Sequence, residues 1–419
     1  MTMEKKITLL LILLSLLSFA QDRKDLGNTF IKTILVDKNA EKAHASFDTS
    51  IAEQIPVTEL KGVVDQVLGN LGAFKNVIEV NQENNKYYYY SEFEKSKLDI
   101  QITFNDQNKI VGFLLVPHKI FDKADDKTAL KIKSGDIELK GTLLIPERNS
   151  KKKLVVFVHG SGPQDRDETI GENKPFKDIA DELFRNGIAS YRYDKRTYSD
   201  SETFSEQSTP ADETINDAVN VVNYFKNNGD YKNYQIIVLG HSLGAYLMPV
   251  IAGKANASKY IFMAGNARPM QDLILDQYEY IHKVNPAVLP QTEVEKIKKQ
   301  VAFLNSGKFA ADTPPEELPL GLSGTYWKYL QTYKPLDEVK KIQSPMFFAQ
   351  GGRDYQVTEK DFNLWKSALK NDKTAVFKWY PSLSHIFIKG TGAPSPKDYS
   401  IKGNVEPEFL NDLIEFVVK

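Results

Sequence analysis

The stretch Gln235-Ile236-Ile237-Val238-Leu239-Gly240-His241-Ser242-Leu243-Gly244 decides how the chain is read. Ile236 to Leu239 are four consecutive apolar residues, which predicts a short strand buried on both faces. Gly-x-Ser-x-Gly follows without a gap, and Leu243 to Ala252 then reads as a helix. A serine between such a strand and helix sits on a sharp turn, in a strained backbone conformation that lifts its hydroxyl above the sheet. The turn closes only if the residues two before and two after the serine are small. Gly240 and Gly244 meet that demand and make Ser242 a candidate nucleophile.

Outward from this turn, short apolar runs alternate with helical patterns. Asp136–Ile145, Leu154–Val158, Ile188–Tyr193, Tyr260–Ala264, Pro345–Ala349 and Thr374–Tyr380 read as strands. Lys177–Asn186, Asp212–Asn227, Glu359–Leu369 and Glu408–Val418 read as helices between or after them. The rhythm implies an α/β fold with a mostly parallel sheet covered by helices, whose chemistry collects at the carboxyl ends of the strands.

Serine needs a base, and the base needs an orienting carboxylate, in the chain order Ser, acid, His. Only His282 and His385 follow Ser242. His282 lies in an irregular segment with no strand before it, whereas His385 comes five residues after the strand ending at Tyr380. His385 is therefore the base. Asp354 stands at the carboxyl end of the strand Pro345–Ala349, in Gly351-Gly352-Arg353-Asp354, and is the acid. Asp361 and Asp372 lie in or after the next helix, and Asp337 lies before the strand. An oxyanion hole requires two backbone N–H groups. Leu243 supplies one, and Ser161 in the glycine-rich loop His159-Gly160-Ser161-Gly162-Pro163 supplies the other, with Gly162 as second choice. His159 and His241 read as supports of their loops.

Composition narrows the chemistry further. The 419 residues carry 54 Lys+Arg and 55 Asp+Glu, and this balance gives no polybasic footprint for nucleic acid. With no cysteine, the chain has no disulfides, thiolate nucleophiles or Cys-ligated metals. At the amino end, Lys5-Lys6, the apolar run Ile7 to Leu17 and Ser18-Phe19-Ala20 predict a signal peptide over residues 1–20. Even carried to Ala20 the apolar stretch has 14 residues, short of the roughly 20 needed to span a membrane. The mature chain is thus expected outside the cytoplasm, periplasmic or secreted, without a stable membrane span.

Residues 21–118 form a first domain on this reading. It holds an amphipathic helix over Val57–Leu71, then strands at Val77–Val80, Lys86–Phe93, Leu98–Phe104 and Ile110–Val116, a small α+β meander. Tyr87 to Tyr90 are expected to alternate between core and rim. A linker spans 119–132 and the second domain 133–419, with an inserted cap over about 266–336. That insertion holds apparent helices at Met270–His282 and Gln291–Asn305.

Taken together, HGSGPQDRDETIGENKPFKDIADELFRNGIASYRYDKRTYSDS, GHSLG, GGRDYQV and LSHIF resemble the α/β-hydrolase superfamily. They look closest to secreted bacterial carboxylesterases with a small N-terminal domain of uncharacterised function, itself similar to nuclear-transport-factor-like cones. The resemblance implies a triad of Ser242, Asp354 and His385, acyl-enzyme chemistry on a small-molecule ester, and no cofactor or metal. Gln164 to Asp167 either line the pocket or lock the oxyanion loop through charge pairs, the second being preferred. A serine peptidase of the same fold is the alternative, with Arg166, Arg196 or Arg268 as candidate clamps for a peptide terminus. A non-catalytic binding protein is a more distant rival, and a homodimer is left open.

Overall fold

A computed structural model describes residues 23–83, 85–119, 121 and 127–419. The expected signal segment 1–20 lies outside the described residues. The chain divides into two compact units, Met1–Asp122 and Lys123–Lys419.

In the first unit, helical segments up to Val57–Leu71 precede four strands: β1 (Phe74–Glu83), β2 (Lys86–Phe93), β3 (Lys97–Phe104) and β4 (Ile110–Val116). They pair antiparallel in the order β1-β2-β3-β4. Leu60 and Val64 of the helix are buried, and Val67, Leu68 and Leu71 pack against the same core, so one stripe faces the sheet. Tyr87 and Tyr89 join that core, while Tyr88 and Tyr90 point to the other face. Strand β1 begins three residues before the expected Val77. Register shifts between Phe74 and Asn76, and between Val77 and Glu79, interrupt the alternation by which a strand is recognised.

The second unit is built on eight strands: β5 (Ala129–Ser134), β6 (Ile137–Leu144), β7 (Lys153–Val158), β8 (Ala189–Tyr193), β9 (Gln235–His241), β10 (Lys259–Met263), β11 (Met346–Gly351) and β12 (Ala375–Tyr380). Their order is β12-β11-β10-β9-β7-β8-β6-β5, parallel from β12 to β8 and antiparallel at β8–β6 and β6–β5. The architecture is that of an α/β-hydrolase. Its central strands read as unbroken apolar runs because both faces are covered. Leu154, Val156 and Val158 face one core and Val155 and Phe157 the other; Ile236 and Val238 are likewise opposed to Ile237 and Leu239. Each such fully buried side chain contributes about 1.5–3 kcal/mol.

Strand β5 begins within the segment expected to be linker and runs two residues past its end. Its lysines 131 and 133 face solvent while Ile132 and Ser134 are buried, so an edge strand with one wet face resembles a charged connector in sequence. Between β10 and β11 the chain forms helices Met270–Val284, Gln291–Asn305 and Gly324–Thr332. Tyr326 and Trp327 of the last helix are buried in the main core. Among the described residues, no helix is long and apolar enough to cross a membrane.

Candidate active site

The carboxyl ends of the parallel strands lie along one sheet edge, with Val158 level with Gly240, His241 with Met263, Met263 with Ala349 and Gly351 with Tyr380. Because β9 pairs with β7 despite the intervening β8, the loop after β7 lies beside the turn after β9. Ser242 has φ 50° and ψ −113°, a left-handed conformation that costs a non-glycine residue on the order of 1–3 kcal/mol. Its N–H donates to the Met263 carbonyl at 3.0 Å, and the helix Leu243–Tyr246 starts at once. The flanking glycines are steric requirements. A Cβ on Gly240 would lie 2.6 Å from the backbone of Gly244, and one on Gly244 would lie 2.4 Å from the Val158 carbonyl oxygen.

Asp354 and His385 meet on the same edge. The His385 Nδ1 lies 2.7 Å from Asp354 Oδ2, with both side chains buried. Asp354 Oδ1 accepts from the amides of Gln356 at 2.8 Å and Val357 at 2.9 Å, and Oδ2 also accepts from Gln350 Nε2 at 2.9 Å. Four donors, His385 among them, thus satisfy the carboxylate and fix its direction toward the imidazole. The two loops interlock because Gly351 has no side chain. A Cβ there would lie 2.4 Å from the Leu383 carbonyl oxygen. Among the described residues, no hydrogen bond joins Ser242 to His385.

The other acidic and histidine candidates lie elsewhere. Asp361 is fully buried, accepting from the amides of Ala267 and Arg268 and from the Arg268 guanidinium. Asp372 accepts from Thr374, and His282 bonds the Leu289 carbonyl within the inserted segment. The amides of Leu243 and Ser161 donate to no protein atom among the described residues, so both are free for an oxyanion.

The loop after β7 is held by charge. Arg166 pairs with Asp194 through Nη2 at 2.7 Å and Nε at 3.0 Å, Asp167 pairs with Arg192 and Lys174, and all but Lys174 are buried. Of the two readings left open for Gln164–Asp167, locking the loop is the one these pairs favour. The Gly160 N–H donates to Glu168 Oε1 at 2.7 Å, and its carbonyl accepts from Lys195 Nζ at 2.8 Å. Lys195 pairs with Glu213, which also accepts from the hydroxyl of Tyr326 in the inserted segment. His159 Nε2 donates to the Asp165 carbonyl at 3.0 Å, and burial pushes its imidazole down to about 4. It supports the loop in neutral form.

His241 does more than support its own loop. Its Nδ1 lies 3.0 Å from Glu168 Oε2 and its Nε2 lies 3.0 Å from the His385 carbonyl oxygen. Sequence reading missed this contact; the available signal was the dense charge of Asp165-Arg166-Asp167-Glu168 directly after a buried strand. A cleft of about 600 Å³ lined by Gln291, Glu295, Lys299 and Phe303 holds none of the candidate catalytic side chains.

A strained serine at a strand–helix turn, with an Asp–His pair on the same sheet edge, defines the serine-hydrolase class on this fold. The chain belongs to the serine aminopeptidase S33 family, which it matches over residues 149–390, more than half its length. Residues 29–113 match a protein family of unknown function, DUF3887. The chain is 30% identical over 400 residues to Esterase EstD of Thermotoga maritima, covering 92% of this chain and 93% of that protein. Among solved structures it is similar to the Pyrococcus furiosus esterase Pf2001 (15% identity, TM-score 0.47, 72% of this chain and 95% of that one). It is also similar to Est1E of Butyrivibrio proteoclasticus (18% identity, TM-score 0.45, 70% and 96%).

Proposed function

We propose that the protein is a carboxylesterase that cleaves small esters through an acyl-enzyme on Ser242. The observation that carries the reading is the strained Ser242 turn facing the edge where Asp354 grips His385 at 2.7 Å. His385 removes the Ser242 proton as Oγ attacks the ester carbonyl, and Asp354 holds the imidazole in the required tautomer. The Leu243 and Ser161 amides donate to the developing oxyanion. His385 then protonates the leaving alcohol, and a water activated by the same histidine releases the acid. The Ser242–His385 contact closes as substrate binds, since catalytic hydrogen bonds are commonly long without a ligand.

The relation to Esterase EstD over nearly the whole chain supports ester over peptide substrates. The family description names an aminopeptidase, so the peptide reading has its own support. Against it, each candidate clamp is already neutralised: Arg166 by Asp194, Arg196 by Asp217, and Arg268 by Asp361 and Asp276. The amino-terminal sequence supports export, which places the activity outside the cytoplasm. Ser242→Ala is expected to lower turnover of p-nitrophenyl acetate about 10⁴-fold or more while the protein stays folded. Wild-type hydrolysis of aminoacyl anilides faster than of acyl esters would overturn the substrate class.

A further inference from the structure

We propose that Glu168 and His241 act as one positioning unit, a buried carboxylate–imidazolium pair that ties the oxyanion loop to the main chain of His385 around Ser242. The inference rests on the serine-hydrolase reading of the site.

The pair touches neither triad carboxylate nor substrate, yet each partner grips a residue adjacent to the chemistry. Glu168 Oε1 accepts the Gly160 N–H at 2.7 Å, and Gly160 directly precedes the oxyanion donor Ser161. A Cβ on Gly160 would stand 3.3 Å from the Cβ of Ser242, so this glycine backs directly onto the nucleophile. His241 directly precedes Ser242, and its Nε2 lies 3.0 Å from the His385 carbonyl oxygen. One buried pair therefore spans the loop after β7, the turn after β9 and the histidine loop after β12.

The protonation of His241 follows from its two neighbours. A carbonyl oxygen only accepts, so Nε2 carries a proton. Nδ1 then faces Glu168 Oε2 at 3.0 Å. A neutral ring would leave an uncharged nitrogen against a carboxylate in a site where both residues are no more than 2% exposed and where, among the described residues, neither Nδ1 nor Oε2 has a hydrogen-bond partner. A second proton on Nδ1 removes the conflict. Burial by itself pushes His241 down, but Glu168, the His385 carbonyl and Asp354 together hold it above its ordinary value. Burial likewise pushes Glu168 up, and His241 and the Gly160 amide hold it below its ordinary value. Among the other groups packed here, His159 is neutral, Phe176 presents only its ring, and His385 lies with its ring centroid 4.6 Å from that of His241. Glu168 is held at φ 53°, a left-handed conformation that aims its carboxylate back toward both partners.

Acyl transfer creates positive charge on His385 and negative charge at the oxyanion. A site with two imidazoliums is then balanced by two carboxylates, Glu168 and Asp354. Keeping His241 charged throughout turnover means that no group around Ser242 needs to reorganise when that charge appears.

The six histidines make the test direct. Protein labelled with ¹⁵N-histidine is expected to show His241 protonated on both ring nitrogens at neutral pH, and singly protonated in Glu168→Gln. In folded Glu168→Gln, kcat for p-nitrophenyl acetate is expected to fall about 10²-fold with KM within about twofold, because a misplaced donor costs turnover and not ground-state binding. His241→Gln should lose as much, and the double variant little more, as expected for one unit. A singly protonated His241 in the wild type, or a folded Glu168→Gln with kcat within about threefold of wild type, overturns the proposal. If Glu168→Gln does not fold, the wild-type spectrum and His241→Gln decide. Should the wild type hydrolyse no ester, the functional reading fails while the nitrogen signature still reports on the pair.

Discussion

The two loops that face each other across Ser242 are fixed by opposite means. The turn after β9 is held by sterics: Gly240 and Gly244 leave room for nothing larger, and the backbone of Ser242 bends to φ 50° between them. The loop after β7 is held by buried charge, through Arg166–Asp194, Arg192–Asp167, Glu168–His241 and Lys195–Glu213. Each contributes one free amide, Leu243 from the first and Ser161 from the second. Steric closure permits one backbone path and tolerates no alternative. Charge closure is adjustable, because a pair can be removed as a unit at modest cost.

That contrast sets the expected effects of substitution. The largest belongs to Gly244→Val, whose Cβ would stand 2.4 Å from the Val158 carbonyl oxygen. It is expected to cost more than about 4 kcal/mol in denaturant unfolding, or to prevent folding, with no rescue by a second substitution nearby. Lys195→Met is next. It strips a buried cation from Glu213 and from the Gly160 carbonyl, and should cost about 3–5 kcal/mol. Here the comparison sharpens, since Lys195→Met combined with Glu213→Leu should recover most of that loss by removing both charges. If the double variant is no better than Lys195→Met alone, the two loops are not held differently.

The smallest effect is a pH dependence. His159 titrates near 4 in the folded protein against an ordinary 6.5. The unfolded chain therefore binds the extra proton first as pH falls, so stability is intact above about 6.5 and declines down to about 4, by about 3 kcal/mol from this residue. His159→Gln keeps a donor for the Asp165 carbonyl and should flatten that part of the profile. Unfolding free energies of both proteins between pH 7 and 4 check it. Parallel curves would mean that His159 is not the buried neutral group described.

The same contrast explains what could be read from the sequence. Steric closure is local: the apolar run, the glycines and the serine lie within ten residues, Gln235 to Gly244, and their spacing carries the geometry. The Asp354–His385 contact was legible too, because both residues follow strands and chain order narrows the choice. Charge closure is long-range. Glu168 finds His241, and Lys195 finds Glu213 and Tyr326, only after the sheet has brought β7, β8 and β9 together. A run such as Asp165-Arg166-Asp167-Glu168 looks the same in sequence whether it is solvated or buried. Strand β5 escaped for a related reason, its exposed lysines concealing a two-residue alternation.

The central claim is that Ser242 is the nucleophile, and it has one direct test. Protein treated with a fluorophosphonate is expected to gain the mass of a single phosphonyl group, mapped by peptide mass spectrometry to Ser242 and absent from Ser242→Ala. Labelling at another residue, or undiminished labelling of Ser242→Ala, would contradict the account.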